Sequence, residues 1–170
     1  GYANVLMAPD EKLFAAPAWR HLADWRTILQ SHYDTARRML GVTPNPRLWP
    51  AAATLKEIAD ELGMGATFQP AEVGTFFGEP GQEVPDPFFG GVGPARRTCT
   101  HCDECMTGCR HNAKNTLVKN YLYLAEKAGA TVHPLTTVTD VRPLPGGGYR
   151  VTATRTGPWL GRKTFTAEQV

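Results

Sequence analysis

The chain contains no run of about eighteen apolar residues, so no helix of it is expected to cross a membrane. It shows no export signal: residues 1–20 place Pro9, Asp10, Glu11 and Lys12 where a signal peptide needs an apolar stretch. No cysteine lies outside Cys99–Cys109, which excludes the spread-out disulfide framework of a small secreted scaffold. These two absences together imply a cytoplasmic compartment with reduced thiols. Basic residues are not concentrated either. The 18 Lys and Arg are scattered against 16 Asp and Glu, a net charge of +2, so no polyanion-binding face is expected and nucleic acid is not an expected partner. There is no internal repeat. Apolar content is not low, at 42% against 20% charged, so the 170 residues have the composition of a folded domain rather than of a disordered one.

What is present divides into helical and extended stretches, an α+β pattern. Residues 1–19 are irregular. Asp24 to Leu40 predicts an amphipathic helix with Trp25, Ile28, Leu29, Ala36 and Leu40 on one face, Asp24 as its N-cap and Gly41 as its stop. Pro44, Pro46 and Pro50 make a linker. A second helix is expected from Thr54, where Thr54 and Glu57 form a capping box, with Leu55, Ile58, Ala59 and Leu62 on its buried face. Thr67 to Phe77 reads as extended. Gly78 to Pro94, with five Gly and four Pro, predicts a long irregular loop, and Phe76, Phe77, Phe88 and Phe89 suggest that it packs on something apolar. A third helix is expected over Thr116–Ala128, with Asn115 or Thr116 as its cap. A meander comes next: Val132–Leu144, a turn at Pro145–Gly148, Tyr149–Arg155 and Lys163–Val170. Gly1 in place of Met, and an end that reads as a strand, lead us to expect more chain on both sides and poor folding of this piece alone.

The four cysteines, Cys99, Cys102, Cys105 and Cys109, have the spacing C-x2-C-x2-C-x3-C. This is the ferredoxin run for a 4Fe-4S cluster, with Arg110 in place of the usual proline. Such a run gives three ligands to one cluster, so a fourth is expected from elsewhere, and the sequence has no fifth cysteine. Zinc is the competing metal, held by four thiolates or by three with His101 or His111. Free thiols in a packed loop are the third reading. Spacing alone leaves all three open.

From Gly108 onward, Cys109-Arg110-His111-Asn112-Ala113-Lys114-Asn115-Thr116-Leu117, and then Lys119-Asn120-Tyr121-Leu122, resembles the glucose–methanol–choline family of flavoprotein oxidoreductases, in particular its bacterial cholesterol-oxidase-like branch. Gly129 to Val132 and Thr137 to Val141 are similar to that family's next strand. Gly1-Tyr2-Ala3-Asn4-Val5-Leu6 resembles the segment just after the family's Gly-rich loop, and Trp25–Leu40 its helix into the substrate domain. The resemblance implies an internal fragment of a Rossmann-like FAD-binding flavoprotein: residues 1–20 contacting flavin, 21–115 part of the substrate-binding region with the cysteine loop, and 116–170 a helix and β-meander of the FAD domain. It implies FAD as cofactor, with Tyr2, Ala3, Asn4 and Val5 near the flavin ring and Val138 near the adenine. The implied reaction is hydride transfer to FAD from an alcohol carbon, the substrate being a sterol or another apolar alcohol. The remainder of a parent polypeptide is an implied partner.

The dinucleotide fingerprint G-x-G-x-x-G is missing from the chain. None of His21, His32, His101, His111 and His133 sits in a matching motif, so no catalytic residue is assigned. The cysteine run departs from well-known cholesterol oxidases and leaves oxidase against dehydrogenase open. Lys114 and Asn115 read first as residues of a helix start, with part of a site roof the alternative for Lys114; Trp19, Trp25, Trp49 and Trp159 read as core or rim, and His133 as a surface or satisfied histidine. Two readings from other classes stand beside the flavoenzyme: an iron–sulfur electron-transfer module, and a zinc-stabilised interaction domain.

Overall fold

The structure is a computed structural model and describes residues 5–7, 9–157 and 161–170, so Tyr2, Ala3, Asn4 and Trp159 lie outside the described residues. It mixes helices with small antiparallel sheets, as the α+β pattern predicts. It divides into two units, residues 1–128 and 129–170.

In the first unit, α1 (Glu11–Phe14) is a single turn capped by Asp10, whose carboxylate accepts from the Lys12 N–H at 2.8 Å. The principal helix is α2 (Trp25–Leu40). Its caps are those expected: the Asp24 side chain accepts from the Thr27 N–H at 3.3 Å, and Gly41 adopts the left-handed conformation at φ 54°. Gly41 is required twice over, since a Cβ there would also run into the Phe88 ring and the Asn115 amide. Two indoles each satisfy their N–H on main chain: Trp19 Nε1 donates to the Leu13 carbonyl and Trp25 Nε1 to that of Trp19, both at 2.8 Å.

Strand β1 (Thr43–Pro44) leads into α3 (Pro50–Glu61). This helix begins a turn earlier than the Thr54–Glu57 box predicts. Pro50 occupies its first position, where a missing N–H costs nothing, and Thr54 lies inside it. Its expected buried face is a second correction: Leu55, Ile58 and Leu62 are exposed, because no described element covers them. A 3-10 turn (Gly65–Thr67) comes next, then β2 (Glu72–Val73), paired with β1. Arg37 of α2 closes on both carboxylate oxygens of Glu72, at 2.7 and 2.6 Å. In the glycine-rich loop, β3 (Glu83–Val84) pairs with β4 (Arg96–Arg97).

The loop between them winds around Asp86. Its carboxylate accepts N–H bonds from Phe88 at 3.0 Å, Phe89 at 3.0 and 3.1 Å, Gly91 at 2.8 Å and Gly93 at 2.9 Å. Burial alone would raise the Asp86 carboxyl, but the four donors outweigh it and hold it below the usual range.

The expected third helix is broken. Leu117–Lys119 form a 3-10 turn, and α4 (Tyr121–Lys127) starts only after Asn120, whose side chain accepts from the Tyr121 N–H at 2.6 Å. Asn120 is therefore the cap, not Asn115 or Thr116. The reason is tertiary. Asn115 and Asn120 are both buried and donate to the last carbonyls of α2, Asn115 Nδ2 to Leu40 at 2.6 Å and Asn120 Nδ2 to Met39 at 3.1 Å. Helix C-termini leave such carbonyls without intrahelical partners, and two distant amides supply them here.

At the centre of this unit lies Arg96, 1% exposed. Its Nε donates to the Asn112 carbonyl at 3.0 Å, one terminal nitrogen to the Ala113 carbonyl at 2.9 Å, and the other to the Asn115 side-chain oxygen. The guanidinium lies 5.3 Å from the Phe88 ring centre, and Phe88 meets Phe76 edge-on at 5.5 Å. The aromatic residues of the loop thus pack on one another and on a cation. Among the described residues the buried polar side chains (Thr75, Arg96, Thr98, Asn115, Asn120, Thr152) outnumber the buried apolar ones (Met39, Ala113, Ala153).

The second unit is the expected meander: β5 (Thr136–Pro143), β6 (Tyr149–Arg155) and β7 (Arg162–Ala167), with β6 in the middle. The Pro145–Gly148 turn closes with the Leu144 N–H on the Gly148 carbonyl at 2.9 Å. A register shift between Val138 and Asp140 bulges β5. His133 is exposed as expected, its ring lying 4.8 Å from that of Phe165.

Replacing Arg96 by Ala strands buried carbonyl acceptors, and we expect a loss of about 2–4 kcal/mol in denaturant unfolding. Arg96→Lys should recover less than half of it, because an ammonium cannot fork to three acceptors in one plane. A lysine variant as stable as the parent would refute this role. The depressed Asp86 carboxyl contributes stability that is fully present above its unfolded value of about 3.9 and is lost as pH falls through its lower folded value. Asp86→Asn should therefore flatten the acid limb of the unfolding curve, read as the difference between the two proteins on titration below about pH 4.

Candidate functional site

Thr98, Arg96 and Asn112 shape the loop that carries the cysteines. The Thr98 hydroxyl donates to the Glu79 carbonyl, and the Cys99 N–H bonds the Phe76 carbonyl at 2.8 Å, which fixes where the loop leaves. At the far end Phe76 N–H bonds the Ala113 carbonyl at 2.9 Å, and Thr75 bridges Lys114. The two ends of the cysteine loop are thereby held against one short extended segment.

Between them the backbone takes an unusual path. His101 (φ 56°), Asp103 (φ 58°) and Asn112 (φ 62°) are non-glycine residues in the left-handed region, alongside Gly108. Each such residue costs on the order of 1 kcal/mol or more, and such strain persists only where surrounding structure holds it. Asn112 is held by its own amide, which donates to the Ala95 carbonyl at 2.9 Å, and by its carbonyl, which takes the Arg96 Nε.

The outcome is that Cys99, Cys102, Cys105 and Cys109 all wall one cavity of about 110 Å3. Trp49, Val73 and Phe77 form its apolar side. His101 lines it too, stacked on Phe77 at 5.8 Å and edge-on to Trp49 at 6.4 Å. None of the four thiols is paired in a disulfide. Backbone N–H groups point at two of the sulfurs: His101 on Cys99 at 3.3 Å, Ala113 and Lys114 on Cys109 at 3.4 and 3.5 Å. Burial pushes the Cys99 thiol up, and burial with the neighbouring thiols does the same to Cys105. Burial also acts on Cys109, but the N–H bonds from Lys114, Ala113 and His111 outweigh it and hold that thiol below its ordinary value.

Lys114 does not simply extend into solvent: its Nζ donates to the Cys105 carbonyl at 2.9 Å and braces the loop from within. Lys119 Nζ reaches the Lys114 carbonyl at 3.3 Å, and burial holds both the Lys119 ammonium and the Arg96 guanidinium below their ordinary values. The three donor atoms of Cys102, Glu104 and His111 lie within 4.8 Å of one another. Arg96 and Thr100 are site residues that sequence reasoning missed. Arg96 reads as one of many scattered basic residues, and its only local signal is a strand-like position closing a Gly- and Pro-rich loop.

The residues implied to meet FAD fall in both units. Val5, half-exposed, bridges Val73 in the first unit, and Tyr2, Ala3 and Asn4 lie outside the described residues. Val138 belongs to the second unit, 54% exposed beside the bulge of the outer strand β5. Among the described residues β5 is an outer strand, with main-chain groups unpaired on one side. Among the described residues no helix is long and apolar enough to cross a membrane.

Comparison with known proteins adds an independent finding. The chain is 54% identical, over 99% of its length, to cholesterol oxidases from two strains of Mycobacterium tuberculosis. It is 48% identical, over 97% of its length, to a cholesterol oxidase from Acinetobacter baumannii. It spans only 30–31% of the length of these relatives. No protein-family profile matches the sequence, and no solved structure matches it.

Asn112→Val should destabilise this loop by about 1–3 kcal/mol, whereas Asn112→Gly, which accepts the same φ, should cost no more than the lost amide bond, about 1 kcal/mol. Thiol alkylation rates at Cys99 and Cys109 report the difference. Equal rates in the two variants would show that the left-handed turn is not what holds the sulfurs in place.

Proposed function

From the premise that this chain is similar along nearly its whole length to about 30% of a cholesterol oxidase, in keeping with the cholesterol-oxidase-like branch of the glucose–methanol–choline oxidoreductases, we propose that it forms part of an FAD-dependent enzyme oxidising a sterol or similar apolar alcohol. The observation that carries this reading is the continuity of the match. Identity of 54% runs over 99% of the chain, far beyond the cysteine loop, as a stand-alone electron-transfer or zinc module would not require.

Residues 1–20 then form a flavin-contacting segment, residues 21–115 part of the substrate-binding region, and residues 116–170 a helix and meander of the FAD domain. Tyr2, Ala3, Asn4 and Val5 would run along the flavin ring, and Val138 would meet the adenine through main chain. FAD, when bound, supplies the hydride acceptor for the alcohol carbon. This chain's own contribution is binding and positioning, since no catalytic base is assigned within it. The apolar faces left open in the described residues, Leu55 and Ile58 on α3 with Leu62 at its end, and Val138 and Val141 on β5, suit covering by the remainder of a longer polypeptide.

The intact protein should carry about one FAD per chain, released on denaturation, and under nitrogen cholesterol should bleach the flavin absorption. An intact protein that binds no flavin, or a bound flavin that no sterol reduces, would overturn the reading. Oxygen uptake compared with reduction of an artificial acceptor then separates oxidase from dehydrogenase.

A further inference from the structure

We propose that the cavity walled by Cys99, Cys102, Cys105 and Cys109 holds a 4Fe-4S cluster with all four sulfurs as its ligands. The spacing C-x2-C-x2-C-x3-C is that of a cluster-binding run, but in two-cluster ferredoxins the last cysteine turns away to a second cluster. Here it does not. Arg110 replaces the proline usual at that position, and the chain doubles back through the left-handed Asn112, so Cys109 faces the same cavity as the other three. The fold supplies the fourth ligand that spacing could not.

The surroundings suit an anionic, sulfur-ligated group. N–H donors on Cys99 and Cys109 are the kind that stabilise cluster thiolates. Arg96 is a buried cation whose three hydrogen bonds all go to neutral oxygens; the Asp86 carboxylate acts on its charge without bonding it, and a buried charge gains from any further anion nearby. The Lys119 ammonium bonds the carbonyl of Lys114, the residue whose N–H bonds the Cys109 sulfur. The Thr100 hydroxyl, also on the cavity wall, is buried with no hydrogen-bond partner among the described residues. A cluster sulfur would give it an acceptor.

Zinc fits less well. With Zn–S bonds of about 2.3 Å, four thiolates around zinc sit nearly in contact and need no cavity between them. The side chains that do approach within 4.8 Å here are a mixed set, Cys102, Glu104 and His111, with a single sulfur. An iron–sulfur cube instead occupies a volume, and all four cysteines line the wall of one.

The test is metal and sulfide analysis of the intact protein purified under nitrogen, with FAD measured on the same sample so that the flavin reading is judged separately. We expect about four iron and four acid-labile sulfide per chain, and an electron paramagnetic resonance signal on reduction with dithionite. Cys99→Ser, Cys102→Ser, Cys105→Ser and Cys109→Ser should each lower iron and sulfide at least twofold, while Glu104→Gln and His111→Asn leave them unchanged. About one zinc per chain without labile sulfide would overturn the proposal. So would wild-type protein that stays below one iron per chain even after reconstitution with ferrous iron and sulfide. Both of those readouts use wild-type protein, so a serine variant that misfolds cannot decide the matter.

Discussion

The guanidinium of Arg96 reaches two main-chain carbonyls and one amide oxygen, with the Phe88 ring against its face and almost no water. Its partners belong to three pieces of local structure. Asn112 and Ala113 end the cysteine loop, Asn115 caps α2 through the Leu40 carbonyl, and Phe88 is held in place by the N–H donors that converge on Asp86. A planar fork of donors is what allows one side chain to set the mutual position of three segments. The burial of a charge is itself unfavourable, and it is offset because each of the three guanidinium nitrogens has an acceptor and because the aromatic face adds a favourable contact.

This constraint explains why the cysteine loop keeps its strained path. Left-handed non-glycine residues at 101, 103 and 112 would relax in a free loop. They remain because both ends of the loop are tied to the Phe76 main chain, and because Asn112 is held from two sides. Lys114 adds a brace from within, on the Cys105 carbonyl. The cavity is therefore made by backbone constraints on its rim, and all four cysteines are among the residues that line it.

The remainder of the chain has a different character. Helix α3 and the meander carry apolar residues on faces that no described element covers. Regular elements form from local pattern, but a face is buried only by a neighbour. A three-stranded sheet in particular needs packing on one side to be stable. The scarcity of buried apolar side chains and the abundance of buried polar ones go together: polar contacts hold the first unit, while much of its apolar surface remains available.

Local chemistry determined a good deal on its own. Asp24 and Gly41 set the ends of α2 because capping depends on residues within one turn. The Pro145–Gly148 turn set the β5–β6 hairpin because a tight turn brings the two runs that flank it side by side. The family resemblance was legible from the order of motifs, and the whole-chain match to cholesterol oxidases agrees with it. Where local signals competed with distant partners, they lost. The Thr54–Glu57 box yielded to Pro50, and the helix expected from Thr116 broke at Asn120 because Asn115 and Asn120 serve α2, some 75 and 81 residues earlier in the chain. The cysteine spacing established that a sulfur site was possible but left it one ligand short. Only the tertiary fold, by burying Arg96 and turning the chain back at Asn112, brought Cys109 to the same cavity. Spacing along a chain cannot state where a loop's far end returns, and that return is decided by hydrogen bonds between residues distant in sequence.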